Sequence, residues 1–224
     1  MSFTAFIATL KREEPRRRLP IPGEDGGTIG HLVALGEGDW HDEALVQSIM
    51  AWREAHRAAF ATRIAAPSAA KTRAYLEKLA FAGPDRILFR ILDATGALSG
   101  HIGLAAITET GMDLDNLMLG EANKGLDFIY RAEIALLHFA FAQSDAAAIH
   151  AAVLDTNKGA QLLHRMAGFS RGTPTPLDLT RNAAGDEALT PAQDPQRPTS
   201  PIRTLRMTMA RPAFLARHAL PRPS

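Results

Sequence analysis

Residues 155–169 have the sequence DTNKGAQLLHRMAGF, which carries the signals of a short helix with defined ends. Asn157 can cap the first turn, because its side-chain oxygen can accept a hydrogen bond from a free backbone N–H. Three apolar residues then recur at helical spacing: Ala160, Leu163 and Met166. Gly168 stands where helices commonly end in a left-handed residue. The stretch therefore predicts a helix that begins after Asn157 and ends before Gly168.

Apolar patterns on both sides of this helix predict an alternation of strands and helices. Strands are expected at residues 28–35, 86–92, 98–107, 114–119, 148–154, 175–179 and 202–209. Further helices are expected from Asp39 or Asp42, from Pro67, and over residues 127–141. Taken alone, this order indicates an α+β domain with a mixed sheet.

Charge and helix-breaking residues divide the chain into three regions. Residues 1–27 contain a basic cluster and several proline and glycine residues, so we expect a solvated or loosely packed N-terminal basic arm, although Phe3, Phe6, Ile7 and Leu10 could hold part of it as an edge strand or helix. Residues 28–210 are expected to form a single domain, with a long loop over about 180–201 that is rich in Pro, Asn and Asp. Residues 211–224 are expected to form a basic C-terminal tail.

Composition narrows the classes of function. The chain has 224 residues, 46% hydrophobic content, a net charge of +1 and no cysteine, so disulfides, thiolate metal sites and a cysteine nucleophile are excluded. The near-neutral charge gives no reason to expect a nucleic-acid or membrane partner. The histidines are scattered without metal-ligand spacing, so no metal is expected. We see neither a signal peptide nor a long apolar run, which favours a cytoplasmic location. The high Ala and Arg content is typical of bacterial proteins from GC-rich genomes.

The pattern Asn-x-x-Ala-x-x-Leu-His-x-x-x-Gly-Phe at residues 157–169 resembles the C-terminal coenzyme-binding motif of the GCN5-related N-acetyltransferases. Stretches at residues 45–53, 72–76, 89–91 and 100–104 are similar to the branch that acetylates ribosomal-protein termini, amino-sugar nucleotides and small amines. The resemblance covers about residues 28–210. It implies the acyl-CoA N-acyltransferase fold, in which helices flank a central mixed, largely antiparallel sheet.

A second segment, residues 116–128, combines an apolar strand, a glycine-containing loop and the start of a helix. Free backbone N–H groups and the positive end of a helix make such a turn an anion site. In the family, a turn of this kind holds the pyrophosphate of acetyl-CoA, although here Asp127 or Phe128 replaces the last small residue. The resemblance implies these cofactor-binding residues: Leu117, Met118, Leu119, Asn123, Lys124, Gly125, Leu126, Asp127, Phe128, Asn157, Ala160 and His164.

The resemblance also implies a mechanism. The strands at 114–119 and 148–154 run parallel and splay apart, and the pantetheine arm of acetyl-CoA lies in the gap. His164 occupies the position at which many relatives have a tyrosine that protonates the leaving thiolate. Glu109 and Glu121 are the first candidates for the base that deprotonates the amine. Asp113, Asp115, His101 and bulk water are the alternatives.

Several functions remain open from the sequence. The first is acetyl transfer from acetyl-CoA to a small-molecule amine, for which an amino sugar nucleotide is one acceptor. The alternatives are acetylation of a protein N-terminus and a noncatalytic acyl-CoA-binding or regulatory module, the latter suggested by the imperfect loop and the missing tyrosine. An interaction protein that docks a partner through its basic arms is a further alternative. The resemblance leaves a homodimer open, because relatives commonly pair through sheet edges, and the sequence does not decide the oligomeric state.

Overall fold

A computed structural model describes residues 2–120 and 125–218. Within them, ten strands form one sheet in the order β1-β2-β4-β5-β6-β7-β10-β8-β9-β3. The strands are β1 Arg18–Pro22, β2 Thr28–Ala34, β3 Thr62–Arg63, β4 Ile87–Asp93, β5 Leu98–Ala105, β6 Gly111–Leu119, β7 Ala148–Leu154, β8 Ser170–Arg181, β9 Glu187–Pro191 and β10 Arg203–Ala210. All neighbouring strands in this described part are antiparallel except β6 and β7, which are parallel. The mixed, largely antiparallel sheet predicted from the sequence is confirmed.

The described residues form six α-helices. They are α1 Phe3–Leu10, α2 Glu43–Ala55, α3 Ala69–Ala74, which continues as a π-helical turn over Tyr75–Phe81, α4 Gly125–Gln143, α5 Lys158–Ala167 and α6 Arg211–Arg217. Side chains cap the first turns of four of the six helices in the described residues, α1, α2, α3 and α5. The side chains of Asp42 and Ser68 cap α2 and α3. No helix within residues 2–120 and 125–218 is long and apolar enough to cross a membrane.

The sheet has helices on both faces because its central strands alternate buried residues between two cores. In β4, Ile87, Phe89 and Ile91 enter a large core with α1 and α4. Leu88, between them, joins a smaller core with α2 and α3 on the other face. Residues that face α2 and α3 are thereby separated from residues that face α4 and α5, and this separation organises the candidate site.

The N-terminal segment is part of the folded unit rather than a solvated arm. Phe3, Ile7 and Leu10 of α1 are buried in the large core, and β1 pairs with β2. The Lys11 ammonium donates to the carbonyls of Phe81 and Gly83 at 2.7 and 2.8 Å. Burial lowers the pKa of Lys11 to about 8. The interpretation of residues 3–22 as a basic arm fails because their apolar residues pack and their cations bind carbonyls and carboxylates.

Two C-terminal segments also differ from expectation. The region expected as a loop over 180–201 contains β9, which pairs with the end of β8 to form a hairpin. Residues 211–217 of the expected tail form α6, in which Phe214 is fully buried. The Arg211 guanidinium donates to carbonyls at the end of α4, including that of Phe141 at 2.8 Å. A cation at the carboxyl end of a helix is stabilising, so Arg211 ties the tail to the domain.

Candidate active site

The parallel strands β6 and β7 separate part-way along their length. Their paired residues run only from Gly111 opposite Ala148 to Leu114 opposite Ala151. Beyond that point, residues 115–119 of β6 pair with β5 alone, and the end of β7 pairs with β10. Among the described residues, the backbone edges that face each other across the gap therefore have N–H and C=O groups without strand partners, and such groups need partners in a buried setting.

An extra residue in β6 produces this separation. The pairing with β5 passes from Gly103 opposite Asp115 to His101 opposite Met118, so β6 uses one more residue than β5 over the same length. Asn116 lies in this bulge with a positive φ of 51°, a conformation that asparagine tolerates better than most residues. Bulges of this kind re-aim side chains and end strand pairing.

The side chain of Asn116 links the bulge to the helices on one face of the sheet. It donates to Asp115 Oδ2 at 2.6 Å and accepts from Nη1 of Arg53, on α2, at 3.2 Å. The Arg53 guanidinium also lies over the rings of Phe60 and Tyr75, at 4.5 and 5.2 Å from their centroids. The bulge is therefore held on the α2 and α3 side of the sheet by an arginine fixed between two aromatic rings.

His101 on β5 is buried beneath Trp52 and bound to the same bulge. Its Nδ1 lies 2.6 Å from the carbonyl oxygen of Asn116. A carbonyl only accepts, so Nδ1 carries the hydrogen and Nε2 has a lone pair. Nε2 is buried without a hydrogen-bond partner in the described part of the chain. Burial lowers the pKa of His101 to about 4, so the imidazole is neutral at neutral pH.

Asp115 lies directly before the bulge at which β6 leaves β7. Burial raises the pKa of Asp115, while Asn116, Arg86 and Arg53 oppose that rise. Asp115 keeps partial exposure, whereas His101 is only 1% exposed. A partly accessible carboxylate with a raised pKa beside the open strand edge has the properties of a general base.

The helix predicted from residues 155–169 is present with the expected ends. Asn157 Oδ1 accepts from the N–H of Ala160 at 3.1 Å, which is the predicted cap. Gly168 adopts a φ of 105°, and the N–H of Phe169 donates to the carbonyl of His164 at 2.9 Å, closing a Schellman motif. The start of α5 therefore lies directly after β7, at the open end of the β6–β7 gap.

His164 lies inside the interface between α5 and α4. Its Nδ1 is 2.8 Å from Oε1 of Glu133, and both side chains are almost completely buried. Its ring also contacts Phe169, with centroids 5.3 Å apart. Glu133 Oε2 has no hydrogen-bond partner among the described residues. Because Nδ1 is occupied by Glu133, only Nε2 of His164 is left for any exchange of a proton with substrate.

The predicted pyrophosphate loop is described only in part. Glu121, Asn123 and Lys124 lie outside the described residues. Gly125 begins α4 with a φ of 75°.

The remaining loop residues have distinct environments. The Asp127 carboxylate accepts from Nε of Arg131 at 2.6 Å, which offsets its negative charge near the start of the helix. Leu126 is largely exposed, whereas the side chain of Phe128 is buried in the large core.

Two other carboxylates proposed from the sequence lie away from the gap. Glu109 is exposed in the turn before β6, at the opposite end of that strand from the open edge. At about 3.3 Å per residue, the six steps from Gly111 to Leu117 alone span roughly 20 Å. Asp113 accepts from Arg206 at 3.2 Å in an exposed pair. The structure therefore does not bring Glu109 or Asp113 to His164 and Asn157.

Three residues of the site were not identified from sequence. The sequence patterns include Arg53 and Asn116 only as members of longer stretches, residues 45–53 and 116–128. Glu133 carries no local signal except that it falls on the apolar face of a helix, where an unpaired acid is costly. The position of Glu133 on an apolar helix face is therefore the one sequence signal that indicates a buried basic partner. Within residues 2–120 and 125–218, no three His, Asp or Glu side chains cluster as a metal site would require.

Comparison with solved structures identifies the fold. A GCN5-related N-acetyltransferase from Brucella melitensis matches with a TM-score of 0.64 at 15% identity, covering 92% of this chain and 83% of that one. The chain has the fold of the GCN5-related N-acetyltransferases. The Salmonella typhimurium acetyl transferase that modifies the N-terminal serine of ribosomal protein L7/L12 matches this fold with a TM-score of 0.63 at 14% identity, covering 87% and 99% of the two chains.

Spermidine N-acetyltransferase from Vibrio cholerae, crystallised with CoA and spermine, shares the GCN5-related fold with a TM-score of 0.57 at 15% identity, covering 82% of this chain and 96% of that one. No protein-family model matches the sequence, and no curated protein matches it significantly. The fold predicted from the resemblance is therefore confirmed by structure rather than by sequence similarity.

The buried neutral state of His101 predicts a pH dependence of stability. The unfolded chain binds a proton at His101 below about pH 6.5, whereas the folded protein does so only below about pH 4. The unfolded state therefore binds more protons between these values, and stability falls as the pH is lowered through them. Relative to His101→Gln, wild type should lose about 2 kcal/mol of unfolding free energy between about pH 7.5 and about pH 5. Urea unfolding followed by circular dichroism measures this loss, and parallel pH dependences in the two proteins would contradict it.

Proposed function

We propose that this protein transfers an acetyl group from acetyl-CoA to the primary amine of a small molecule. The observation that carries the proposal is the open edge of β6 beyond Leu114, which faces the end of β7 across a gap. The free backbone groups of residues 117–119 suit the two amides of a pantetheine arm laid in this gap, because an extended amide chain can pair with a strand edge.

The surroundings of the gap fit the rest of the coenzyme. α4 and α5 start on either side of it, and the N-terminus of a helix favours negative charge. Arg131 offsets the charge of Asp127, the carboxylate at the start of α4. The assignment of Asn123 and Lys124 to the pyrophosphate, and of Glu121 to the base, stays a prediction. The crystallisation of a similar enzyme with CoA supports the choice of cofactor.

The transfer is direct. The amine nitrogen attacks the thioester carbonyl carbon, and Asp115 takes a proton from that nitrogen. A backbone N–H near Leu119 stabilises the negative charge that develops on the carbonyl oxygen. The carbon–sulfur bond then breaks, and the imidazolium form of His164, whose Nδ1–H donates to Glu133, gives its Nε2 proton to the leaving thiolate. Glu133 holds the other nitrogen of His164, so the ring is oriented by a buried carboxylate.

Asp115 replaces Glu109 as the proposed base because of its position. Asp115 adjoins the bulge at which β6 leaves β7, whereas Glu109 is exposed at the far end of the strand. Asp115 also lies on the α2 and α3 side of the sheet, near Arg53, while His164 lies among the helices of the opposite side. Base and acid therefore approach the thioester from different directions, as attack and departure require.

The acceptor is proposed as a small amine, and a protein N-terminus is the second candidate. Similarity to the ribosomal protein L7/L12 enzyme favours the second candidate, and similarity to the spermidine enzyme favours the first. An amino sugar nucleotide is one acceptor of the first kind. The homodimer and the cytoplasmic location stay predictions.

Two substitutions of Asn157 separate its structural role from its proposed role in coenzyme binding. Asn157→Asp keeps an oxygen that caps α5, whereas Asn157→Ala loses the cap and about 1 kcal/mol of unfolding free energy. Neither variant keeps the amide donor, so both should bind coenzyme A about tenfold more weakly than wild type, as expected for one lost hydrogen bond. Titration calorimetry with coenzyme A measures the affinities, and thermal unfolding measures the cap.

Wild-type affinity in Asn157→Asp would show that Asn157 is only a cap. Absence of coenzyme A binding to wild type, even at about 1 mM, would contradict the cofactor itself and favour a module that has lost catalysis, because a ligand at such concentration stabilises any native state that binds it.

Substitutions of the proposed base and acid test the transfer step. Asp115→Asn and His164→Gln should each lower kcat by about 10²-fold or more, because each removes one proton transfer. His164→Gln keeps a donor for the buried carboxylate of Glu133, so the fold is preserved. His164→Tyr should retain more activity than His164→Gln, because a phenol can protonate a thiolate. Thiol release in steady-state assays measures kcat, and coenzyme titration checks that affinity is unchanged.

If His164→Tyr and His164→Gln both had activity near that of wild type, His164 would not be the acid that protonates the leaving thiolate. A wild-type rate in Asp115→Asn would show that Asp115 is not the base and would favour Glu121 or water in that role.

A further inference from the structure

A shallow pocket that is open to solvent lies between α2, β3 and α3, on the acceptor side of the bulge. Its charged lining consists of three arginines and one carboxylate: Arg53, Arg57, Arg63 and Glu54. The rest of the wall includes Phe60 and Thr72. The pocket is therefore net positive, which is unexpected for a protein whose formal net charge is only +1.

Arg53 connects this pocket to the proposed reaction centre. Its Nη1 donates to the side chain of Asn116 in the bulge, and its guanidinium is fixed between two rings. A guanidinium held in this way keeps its charge and loses little freedom when it binds a ligand. Arg53 therefore lies between the pocket and Asp115, to which it is linked through Asn116. A small acceptor bound in the pocket can direct its amine past Arg53 towards the open edge of β6.

The other two arginines have donors to spare. Arg63 is 3.7 Å from Glu187, and its Nε is buried without a hydrogen-bond partner among the described residues. Glu187 is already bound by Arg181 at 2.5 Å, and this hydrogen bond lowers the pKa of Glu187. The side chain of Arg57 makes no hydrogen bond or ion pair within residues 2–120 and 125–218, acts on Glu187 only through its charge, and is only partly exposed. Buried or half-buried donors without partners indicate a missing acceptor.

We propose that this pocket receives an anionic group, a phosphate or a carboxylate, carried by the amine acceptor. The inference rests on the proposed function and narrows its substrate class. Arg57 and Arg63 contact the anion, because guanidinium groups bind both kinds of oxyanion with paired hydrogen bonds. Arg53 lines the path to the bulge. The same charges disfavour a polycation, so this protein differs in acceptor from the spermidine enzyme that shares its fold.

Binding of inorganic diphosphate tests the pocket without turnover. The titration is carried out in saturating coenzyme A, so that the anion site of the cofactor is already filled. Arg57→Gln should weaken diphosphate binding by about tenfold, the effect of one lost charge-assisted hydrogen bond. Arg171→Gln, which removes an exposed arginine on β8, is the matched control and should bind as wild type does. Equal binding in wild type and Arg57→Gln, or no binding in wild type, would overturn the proposal.

Acetylation of four small amines tests the substrate class. Ethanolamine, O-phosphoethanolamine, β-alanine and putrescine differ mainly in the charge of the group opposite the amine. The two anionic amines should have a kcat/KM at least about tenfold above that of ethanolamine, and putrescine should be the poorest. The preference should shrink in Arg57→Gln and persist in Arg171→Gln.

The outcomes distinguish the inference from the function on which it rests. Coenzyme A binding and acetylation of ethanolamine or putrescine in preference to the anionic amines would refute the anion pocket and leave the acetyltransferase standing. Absence of coenzyme A binding would refute the function, while loss of diphosphate binding in Arg57→Gln would still support the pocket. Acetylation of an acidic peptide together with none of the four amines would refute the small-molecule acceptor.

Discussion

The separation of β6 from β7 after Leu114 is the constraint on which the rest of the site depends. These two strands form the one parallel pair within the described sheet, and one face of each is buried in the large core. A continuous sheet would satisfy their backbone groups along the whole length. The extra residue at Asn116 instead ends the pairing and leaves two strand edges that require a ligand with amides of its own.

The same bulge fixes the chemistry around the gap. The carbonyl of Asn116 binds His101, its side chain binds Arg53, and the neighbouring Asp115 is thereby placed beside the open edge. The indole ring of Trp52 packs so closely against Gly120, directly after β6, that a Cβ at this position would overlap with the ring. Glycine at position 120 therefore allows Trp52 to cover the bulge. Shifting β6 by one residue would therefore displace the base, the acceptor wall and the coenzyme edge together.

Much of the fold was predictable because its signals are local. The strand at Ala148–Leu154 and the helix that follows it were placed from hydrophobic spacing, an asparagine cap and a terminal glycine, and the sheet class followed from the resemblance. The errors came from contacts distant in sequence. The burial of Phe3 and Phe214 depends on neighbours contributed by the rest of the chain, so breaker residues nearby made both termini look unstructured.

The candidate site was less predictable for the same physical reason. Asn157 and the strand edge at residues 117–119 lie in recognisable motifs. Asp115 was one of several equivalent carboxylates until the bulge gave it a position, and Glu109 was separated from the gap only by the direction of β6. The role of Glu133 in orienting His164 depends on the packing of α4 against α5, which brings the two side chains into contact, so the sequence alone did not predict it.

Hydrogen exchange of the β6 amides tests the central claim most directly. Amides in residues 111–114 already pair within the sheet, whereas residues 115–119 face an open gap on one side. Saturating acetyl-CoA should slow exchange in residues 115–119 and leave residues 111–114 nearly unchanged, because only the open edge gains hydrogen bonds. Unchanged exchange at residues 115–119 under saturation, or slowing confined to other parts of the chain, would contradict the assignment of the coenzyme to the β6–β7 gap.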